Sequence, residues 1–173
     1  ALALAAAVGF VHAERADAPF GERSAAYVPP VAVTAPLEDP AAAVVGSSLG
    51  GFYATAVAER LGCRAALLNP AIDPTRDLSA HIGEQTAWHD PAERFFFRPE
   101  YIDELRALQP GPITRPERYF AVIAKGDELL DWREMTARYP GARIRLLEGS
   151  DHALSDFDQH IDAMLAFLEL ATT

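Results

Sequence analysis

The chain contains very little cysteine. Cys63 is the single cysteine among 173 residues, so an intrachain disulfide and a thiolate metal cluster are both excluded. It precedes the apolar run RAALLNP, and we predict that it is a small buried residue. A chain without disulfides fits a reducing compartment. We therefore expect a cytoplasmic location, with export as the alternative if residues 1–13 are a signal-peptide remnant.

Positive charge and long apolar runs are also scarce. Lys and Arg total 15 against 25 Asp and Glu, which gives a formal net charge of -10. Such a charge is repelled by nucleic acids and anionic membranes, and no apolar run approaches the ~20 residues of a membrane span. No metal-ligand spacing links the histidines. We expect a small-molecule substrate as partner, with no nucleic acid, membrane, metal or cofactor, and we leave the oligomeric state open.

From residue 44 onward, predicted strands and helices alternate along the chain. The predicted strands are AAAVV, CRAALLNP (ended by Pro70), RYFAVIAKGDE (ending at Gly126) and ARIRLLEGSDH (with His152 at its tip), and the helices are FYATAVAERLG, PEYIDELRAL, DWREMTARYPG and FDQHIDAMLAFLELA. This alternation predicts an α/β fold whose mostly parallel sheet has helices on both faces. The length fits one domain over residues 1–173. Arg143 and Arg145 indicate that the last strand is a partly exposed edge.

The segment before residue 44 gives weaker signals. Residues 1–14 are rich in Ala and Leu, which predicts a helix packed on the sheet. The stretch AAYVPPVAV has strand-like residues, but Pro29 and Pro30 cannot donate to a ladder. We therefore predict that any strand there is short or lies at an edge.

A glycine-rich turn lies between the first predicted strand of the alternation and its helix. Gly46, Ser48 and Gly50 fit the pattern G-x-S-x-G, in which a serine occupies a strained turn at the end of a strand. Glycines two residues on either side remove steric clashes, and Gly51 lets the helix approach the sheet. A phosphate-binding loop is disfavoured because no Lys follows the glycines. Ser48 is therefore the candidate nucleophile.

A nucleophilic serine needs a base, and the base needs a group that orients it. Asp127 follows one late predicted strand and His152 follows the next, which is the order serine, acid, histidine of hydrolases. Asp131 and Glu128 are rival acids, and Asp127 is alternatively a turn former or helix cap. We favour Asp127 because it lies nearest the strand end.

Three further histidines compete with His152 for the role of base. His81, His89 and His160 lack a position directly after a strand. His152 has that position, and we predict that it is the base.

With these residues in place, the chain resembles the YqiA-like small esterases of the α/β-hydrolase superfamily. The matching stretches are VVGSSLGGFYAT, LLNPAIDP, AKGDELLDW and EGSDHAL, and the match runs from about residue 44 to about residue 170. The resemblance implies a serine esterase with Ser48 as nucleophile, Asp127 as acid and His152 as base. It also implies that the backbone N–H of Leu49 is one oxyanion donor.

The resemblance also bears on two segments. Residues 74–116 occupy the place of a small cap over the acyl pocket, with Trp88 and three phenylalanines at 95–97, although plain core packing explains these aromatics equally well. Members of the family open with a strand that ends in His-Gly and provides the second oxyanion N–H. We find Gly9 as the one early candidate, and expect the N-terminal strand beside AAAVV to be missing and residues 1–43 to be divergent or truncated.

The predicted function is therefore cleavage of carboxylic esters, or of acyl-CoA thioesters, through an acyl-enzyme. The alternative is a non-catalytic or truncated hydrolase-fold protein that serves as a binding module.

Overall fold

The computed structural model describes residues 5–7, 43–86 and 94–169. Seven strands lie in these ranges: β1 (Ala5–Ala7), β2 (Ala43–Ser47), β3 (Arg64–Leu68), β4 (Gly83–Thr86), β5 (Arg94–Phe97), β6 (Tyr119–Ala124) and β7 (Arg143–Leu147). Five α-helices accompany them: α1 (Leu49–Leu61), α2 (Pro74–Ser79), α3 (Pro99–Leu108), α4 (Trp132–Arg138) and α5 (Ile161–Phe167). Short 3₁₀ turns cover Pro116–Arg118 and Phe157–Gln159.

Within the described residues, the main sheet has five strands in the order β1-β2-β3-β6-β7, and every neighbouring pair is parallel. β4 and β5 form a separate antiparallel pair. The alternation of strand and helix predicted from residue 44 is therefore confirmed. The carboxyl ends of parallel strands meet at one edge of the sheet, so the loops after β2, β6 and β7 lie at the same edge.

The predicted helix over residues 1–14 is wrong at Ala5–Ala7, which form β1. This strand runs parallel to β2, with Ala5 opposite Val44, so the expectation that the strand beside AAAVV is missing is also wrong. Helix propensity is a weak preference, whereas the backbone groups along a buried strand edge need partners. The predictions for AAYVPPVAV and for Gly9 lie outside the described residues.

The two faces of the sheet are filled by alternate residues of the strands. All six residues of β6 are buried, as is typical of a parallel strand covered on both sides. On one face, Tyr119, Ala121 and Ile123 pack with Met135 and Tyr139 at α4. The opposite face packs against α5, and its buried members are Ala43, Ala66, Phe120, Val122, Ala124, Leu154, Met164 and Leu168.

Local signals fix several helix ends as predicted. α1 ends at Gly62, whose left-handed φ of 73° lets its N–H donate to the carbonyl of Ala58. α3 begins at Pro99, where the missing N–H costs nothing. β7 lies at one edge of the sheet formed by the described strands and exposes Arg143 and Arg145, which confirms the predicted edge.

Of the segment 74–116, the structure describes residues 74–86 and 94–116, where α2, the β4–β5 pair and α3 lie outside the main sheet. Ile102 and Leu105 of α3 are buried against Phe52 of α1. Near the start of the segment, in α2, the guanidinium of Arg76 donates to both carboxylate oxygens of Glu134 in α4, at 2.9 and 2.8 Å. The segment is thus joined to two helices of the main body.

Of the phenylalanines in the aromatic cluster of this segment, one packs against a neighbouring ring and another is exposed. Phe97 is half-buried and its ring meets Tyr101 edge-on at 5.5 Å, whereas Phe96 is 59% exposed. Trp88 lies outside the described residues. None of the helices within residues 43–86 and 94–169 combines the length and apolar character needed to cross a membrane.

Candidate active site

Ser48 lies on the turn between β2 and α1 in a conformation that is rare for residues other than glycine. Its φ is 53° and its ψ is -122°, which stores backbone strain. The Ser48 N–H donates to the carbonyl of Leu68 at 2.9 Å, and the Ser48 carbonyl accepts from the N–H of Ala71 at 2.9 Å. The end of β3 and the residues after it therefore hold the strained turn in place.

The glycines around Ser48 allow the strand end and the helix start to touch. A Cβ on Gly46 would lie 2.1 Å from the carbonyl oxygen of Gly50. A Cβ on Gly51 would lie 2.6 Å from the Cβ of Pro70. Both distances are far below van der Waals contact, so Gly46 and Gly51 are required for steric reasons, as predicted for Gly46 in the pattern and for Gly51 at the close approach of the helix.

Ser48, His152 and Asp127 are joined by two hydrogen bonds. His152 Nε2 lies 2.9 Å from Ser48 Oγ, and His152 Nδ1 lies 2.8 Å from Asp127 Oδ2. An ionised carboxylate only accepts hydrogen bonds, so the proton of the neutral imidazole belongs on Nδ1. Nε2 is then free to accept from the Ser48 hydroxyl. The structure thus brings together three residues that follow three different strands.

The Asp127 carboxylate is fully buried but has three N–H partners. Its side chain is 0% exposed. Oδ1 accepts from the backbone N–H groups of Leu129 and Leu130 at 2.8 and 2.9 Å, while Oδ2 faces His152. A buried charge is tolerated when it is hydrogen-bonded, and here the bonds also fix the direction of the carboxylate.

The loops that carry Asp127 and His152 contact each other directly. The backbone N–H of His152 donates to Glu128 Oε2 at 3.0 Å. A Cβ on Gly126 would lie 2.2 Å from the carbonyl oxygen of Ser150. The His152 side chain is 18% exposed, so part of it is accessible to solvent.

The two rival acids have other partners. Asp131 is the N-cap of α4 and accepts from the N–H of Arg133 at 2.8 Å, so the capping role considered for Asp127 belongs to Asp131. Glu128 binds the backbone of His152 rather than its ring. Asp127 is the carboxylate that contacts the imidazole.

The other histidines have different surroundings. His81 is exposed in the turn after α2, and His89 lies outside the described residues. His160 is buried, with Nε2 at 3.4 Å from Asp156 Oδ2. In the described part of the chain, no three or more His, Cys, Asp and Glu side chains are grouped so that they could hold a metal ion.

Leu49 directly follows Ser48 and is the first residue of α1. A backbone N–H in the first turn of a helix has no acceptor within the helix, and the positive end of the helix dipole lies there. The predicted oxyanion donor is therefore at a position suited to bind a negatively charged oxygen beside Ser48.

Sequence reasoning missed Asn69, and it also missed the contact of Glu128 with the backbone N–H of His152. Asn69 is fully buried and its side chain bonds to the loop of His152. The signal that points to it is an amide directly after a buried strand, at the sheet edge where the other three residues lie.

Residues 30–169 match the model of an uncharacterised protein family, UPF0227. The chain belongs to this family. The resemblance to YqiA-like proteins predicted from the motifs is thereby confirmed. The UPF0227 protein VP0969 of Vibrio parahaemolyticus is 24% identical over 132 residues, which cover 75% of this chain and 66% of that protein.

Solved structures similar to this UPF0227 chain include an α/β hydrolase. A candidate hydrolase from Agrobacterium vitis S4 aligns with a TM-score of 0.58 at 23% identity, covering 73% of this chain and 61% of that one. The mouse alpha/beta hydrolase domain-containing protein 10 aligns with a TM-score of 0.50 at 20% identity, covering 74% and 64%. The α/β-hydrolase fold is confirmed, and the chain spans about two thirds of these proteins or less.

Proposed function

We propose that the protein is a serine hydrolase that cleaves carboxylic esters through a covalent acyl-enzyme. The observation that carries the proposal is the pair of hydrogen bonds from Ser48 to His152 and from His152 to Asp127, at 2.9 and 2.8 Å. A serine hydroxyl becomes a useful nucleophile when an oriented base lies within hydrogen-bond reach. The fold supports the same class of reaction, since its neighbours include a candidate hydrolase.

In the first half of the reaction, Ser48 Oγ attacks the ester carbonyl carbon while His152 Nε2 takes the hydroxyl proton. The carbonyl oxygen becomes an oxyanion, which accepts a hydrogen bond from the N–H of Leu49. The C–O bond to the alcohol then breaks, and His152 gives its proton to the departing oxygen. The product is an ester between the acyl group and Ser48.

In the second half, water replaces the alcohol. His152 takes a proton from the water, whose oxygen attacks the acyl carbon, and the proton then passes to Ser48 Oγ as the acyl group leaves. Asp127 stays ionised and stabilises the imidazolium that forms in each half. Its three N–H partners keep it aligned through both steps.

We propose residues 74–116 as a cap over the acyl group. The exposed ring of Phe96 and the half-buried ring of Phe97 are apolar groups of this segment, and α3 packs on Phe52, four residues after Ser48. An acyl-CoA thioester offers the same carbonyl chemistry as an ester. Competition between a short ester and an acyl-CoA distinguishes the two substrate classes.

The test is the hydrolysis of short p-nitrophenyl esters by the wild type, Ser48→Ala and Ser47→Ala. We expect Ser48→Ala to lower kcat by at least about 10³-fold, because the other triad members do little without the nucleophile. Ser47→Ala removes the neighbouring hydroxyl and serves as the matched control with kcat near that of the wild type. Equal rates for wild type and Ser48→Ala would reject the proposal, and equal rates at the uncatalysed background would leave a binding module as the alternative.

A further inference from the structure

Asn69 lies at the point where β3, β6 and the loop of His152 meet. It directly follows β3 and is 0% exposed. Its backbone N–H donates to the carbonyl of Val122 in β6 at 3.0 Å. Its φ is 40°, in the left-handed region that Asn occupies more readily than most residues. The backbone therefore directs this side chain from the end of β3 toward the end of β6 and the loop after β7.

The side-chain amide of Asn69 uses its acceptor and both of its donors. Oδ1 accepts from the N–H of Ala124, the last residue of β6, at 2.8 Å. Nδ2 donates to the carbonyls of Asp151 and His152, at 3.0 Å each. One amide thus joins the end of the strand that leads to Asp127 to the backbone of His152 itself.

These contacts need an amide of this length. Asp has the same shape but, when ionised, no donor, and an aliphatic side chain has neither donor nor acceptor. Removing the amide would leave the N–H of Ala124 and the two carbonyls without this buried partner, and unsatisfied buried groups are costly.

The distances within the triad depend on the backbone position of His152. Its ring reaches Ser48 on one side and Asp127 on the other, at 2.9 and 2.8 Å. Glu128 holds the backbone N–H of His152 and Asn69 holds its carbonyl. If the hydrogen bond from Asn69 to the His152 carbonyl is lost, the loop can shift, and the imidazole then moves away from both Ser48 and Asp127.

We propose that Asn69 is a positioning residue, whose amide holds the His152 loop so that the imidazole bridges Ser48 and Asp127. Its effect on turnover rests on the proposed function, whereas its effect on the orientation of His152 does not. Asn69 acts through the backbone of His152, so the inference concerns kcat rather than substrate binding.

The kinetic test uses Asn69→Asp and Asn69→Ala. Asn69→Asp keeps an oxygen for the N–H of Ala124 and removes the two donors, and Asn69→Ala removes all three bonds. We expect kcat for a p-nitrophenyl ester to fall by about 10- to 100-fold in both variants, since a displacement of about 1 Å at a reacting group has costs of this size. KM is expected to stay within about twofold, because the substrate's own contacts are unchanged.

A second measurement does not require turnover. The Nδ1 proton of His152, bonded to Asp127, gives a low-field proton NMR signal that is assigned by its absence in His152→Ala. We expect this signal in the wild type and its loss or broadening in both Asn69 variants. The matched control is Thr55→Val, which removes a buried hydroxyl bonded to Tyr139 and to the Gly51 carbonyl, and it is expected to keep both the signal and kcat.

The outcomes separate the two proposals. A wild type that shows the signal but no esterase activity rejects the proposed function, while loss of the signal in the Asn69 variants still supports the positioning of His152. A signal that persists in both variants overturns the inference, whatever happens to kcat. Unfolding of both variants with Thr55→Val folded also overturns it, because Asn69 is then a residue of general stability.

Discussion

At the scale of the single residue, two aspartates four positions apart have different hydrogen-bond partners and different roles. Asp127 accepts from His152 Nδ1 and from two backbone N–H groups, whereas Asp131 caps α4. Position after a strand end favours Asp127 in the sequence, but the hydrogen bonds that separate the two roles depend on how the loop between them turns. Asp131 therefore provides a matched control for Asp127.

Asp127→Asn is expected to lower kcat for ester hydrolysis by roughly 10⁴-fold, because an amide at this position does not hold the required imidazole tautomer. Asp131→Asn keeps a good N-cap residue, so its kcat is expected to match the wild type. Steady-state kinetics on both variants, with circular dichroism to verify folding, provide the measurement. Loss of activity in Asp131→Asn alone would transfer the role of acid to Asp131.

At the scale of the element, the turn between β2 and α1 combines a strained residue with close backbone contact. Ser48 has a φ of 53°, and Gly46 faces the carbonyl of Gly50 at a distance that leaves no space for a Cβ. The geometry of the turn and the start of α1 are therefore linked. A change at Gly46 should affect stability and Ser48 together.

Gly46→Ala is expected to destabilise the fold by about 1–3 kcal/mol, the usual cost of forcing an extra group into a packed site. Any folded fraction should show reduced reactivity of Ser48, since the helix start must shift. Urea unfolding gives the free energy, with Gly111→Ala as control because a Cβ there meets nothing within 4 Å. Equal stability of the two variants would show that the turn tolerates the methyl group.

An element can be predicted from the sequence when the residues that determine it lie within it, but not when it forms by pairing with a distant segment. The bounds of α3, Pro99–Leu108, follow from a proline at its start and helix-forming residues after it. The sequence does not predict β1, because its three alanines favour a helix locally and form a strand only by pairing with β2. The sequence does not predict the β4–β5 pair for a similar reason. GEQT has few strand-forming residues, and it forms a strand by pairing with RFFF at Arg94–Phe97.

The residues of the candidate active site show the same contrast between local sequence patterns and contacts with distant residues. Ser48, Asp127 and His152 follow predicted strands, and their order along the chain is a sequence pattern. Asn69 carries no such pattern, because its three side-chain bonds are to backbone atoms of distant residues. Contacts of this kind become visible only when the strands have been placed side by side.

At the scale of the whole molecule, carboxylates link stability to pH. Burial alone raises the pKa of Glu59, but hydrogen bonds from Tyr119 and Thr114 outweigh it and hold this pKa below its ordinary value. A hydrogen bond from Arg76 likewise lowers the pKa of Glu134. Groups with a lowered folded pKa add stability above their unfolded pKa, and this stability is lost as the pH falls through the folded value.

The free energy of unfolding is therefore expected to fall as the pH is lowered from about 7 toward about 3. Glu59→Gln should reduce the size of this fall, because its side chain no longer binds a proton. Urea unfolding at several pH values measures it, with Glu100→Gln on the exposed start of α3 as the control. An identical pH dependence in wild type and Glu59→Gln would contradict the role given to Glu59.

The central claim is that His152 activates Ser48 for attack. A fluorophosphonate reacts with activated serines, and mass spectrometry of the labelled protein identifies the modified residue. We predict that the label is found on Ser48 in the wild type, that it is absent in Ser48→Ala, and that labelling slows strongly in His152→Ala. A wild type that takes up no label, or that is labelled equally after Ser48→Ala, would contradict the account.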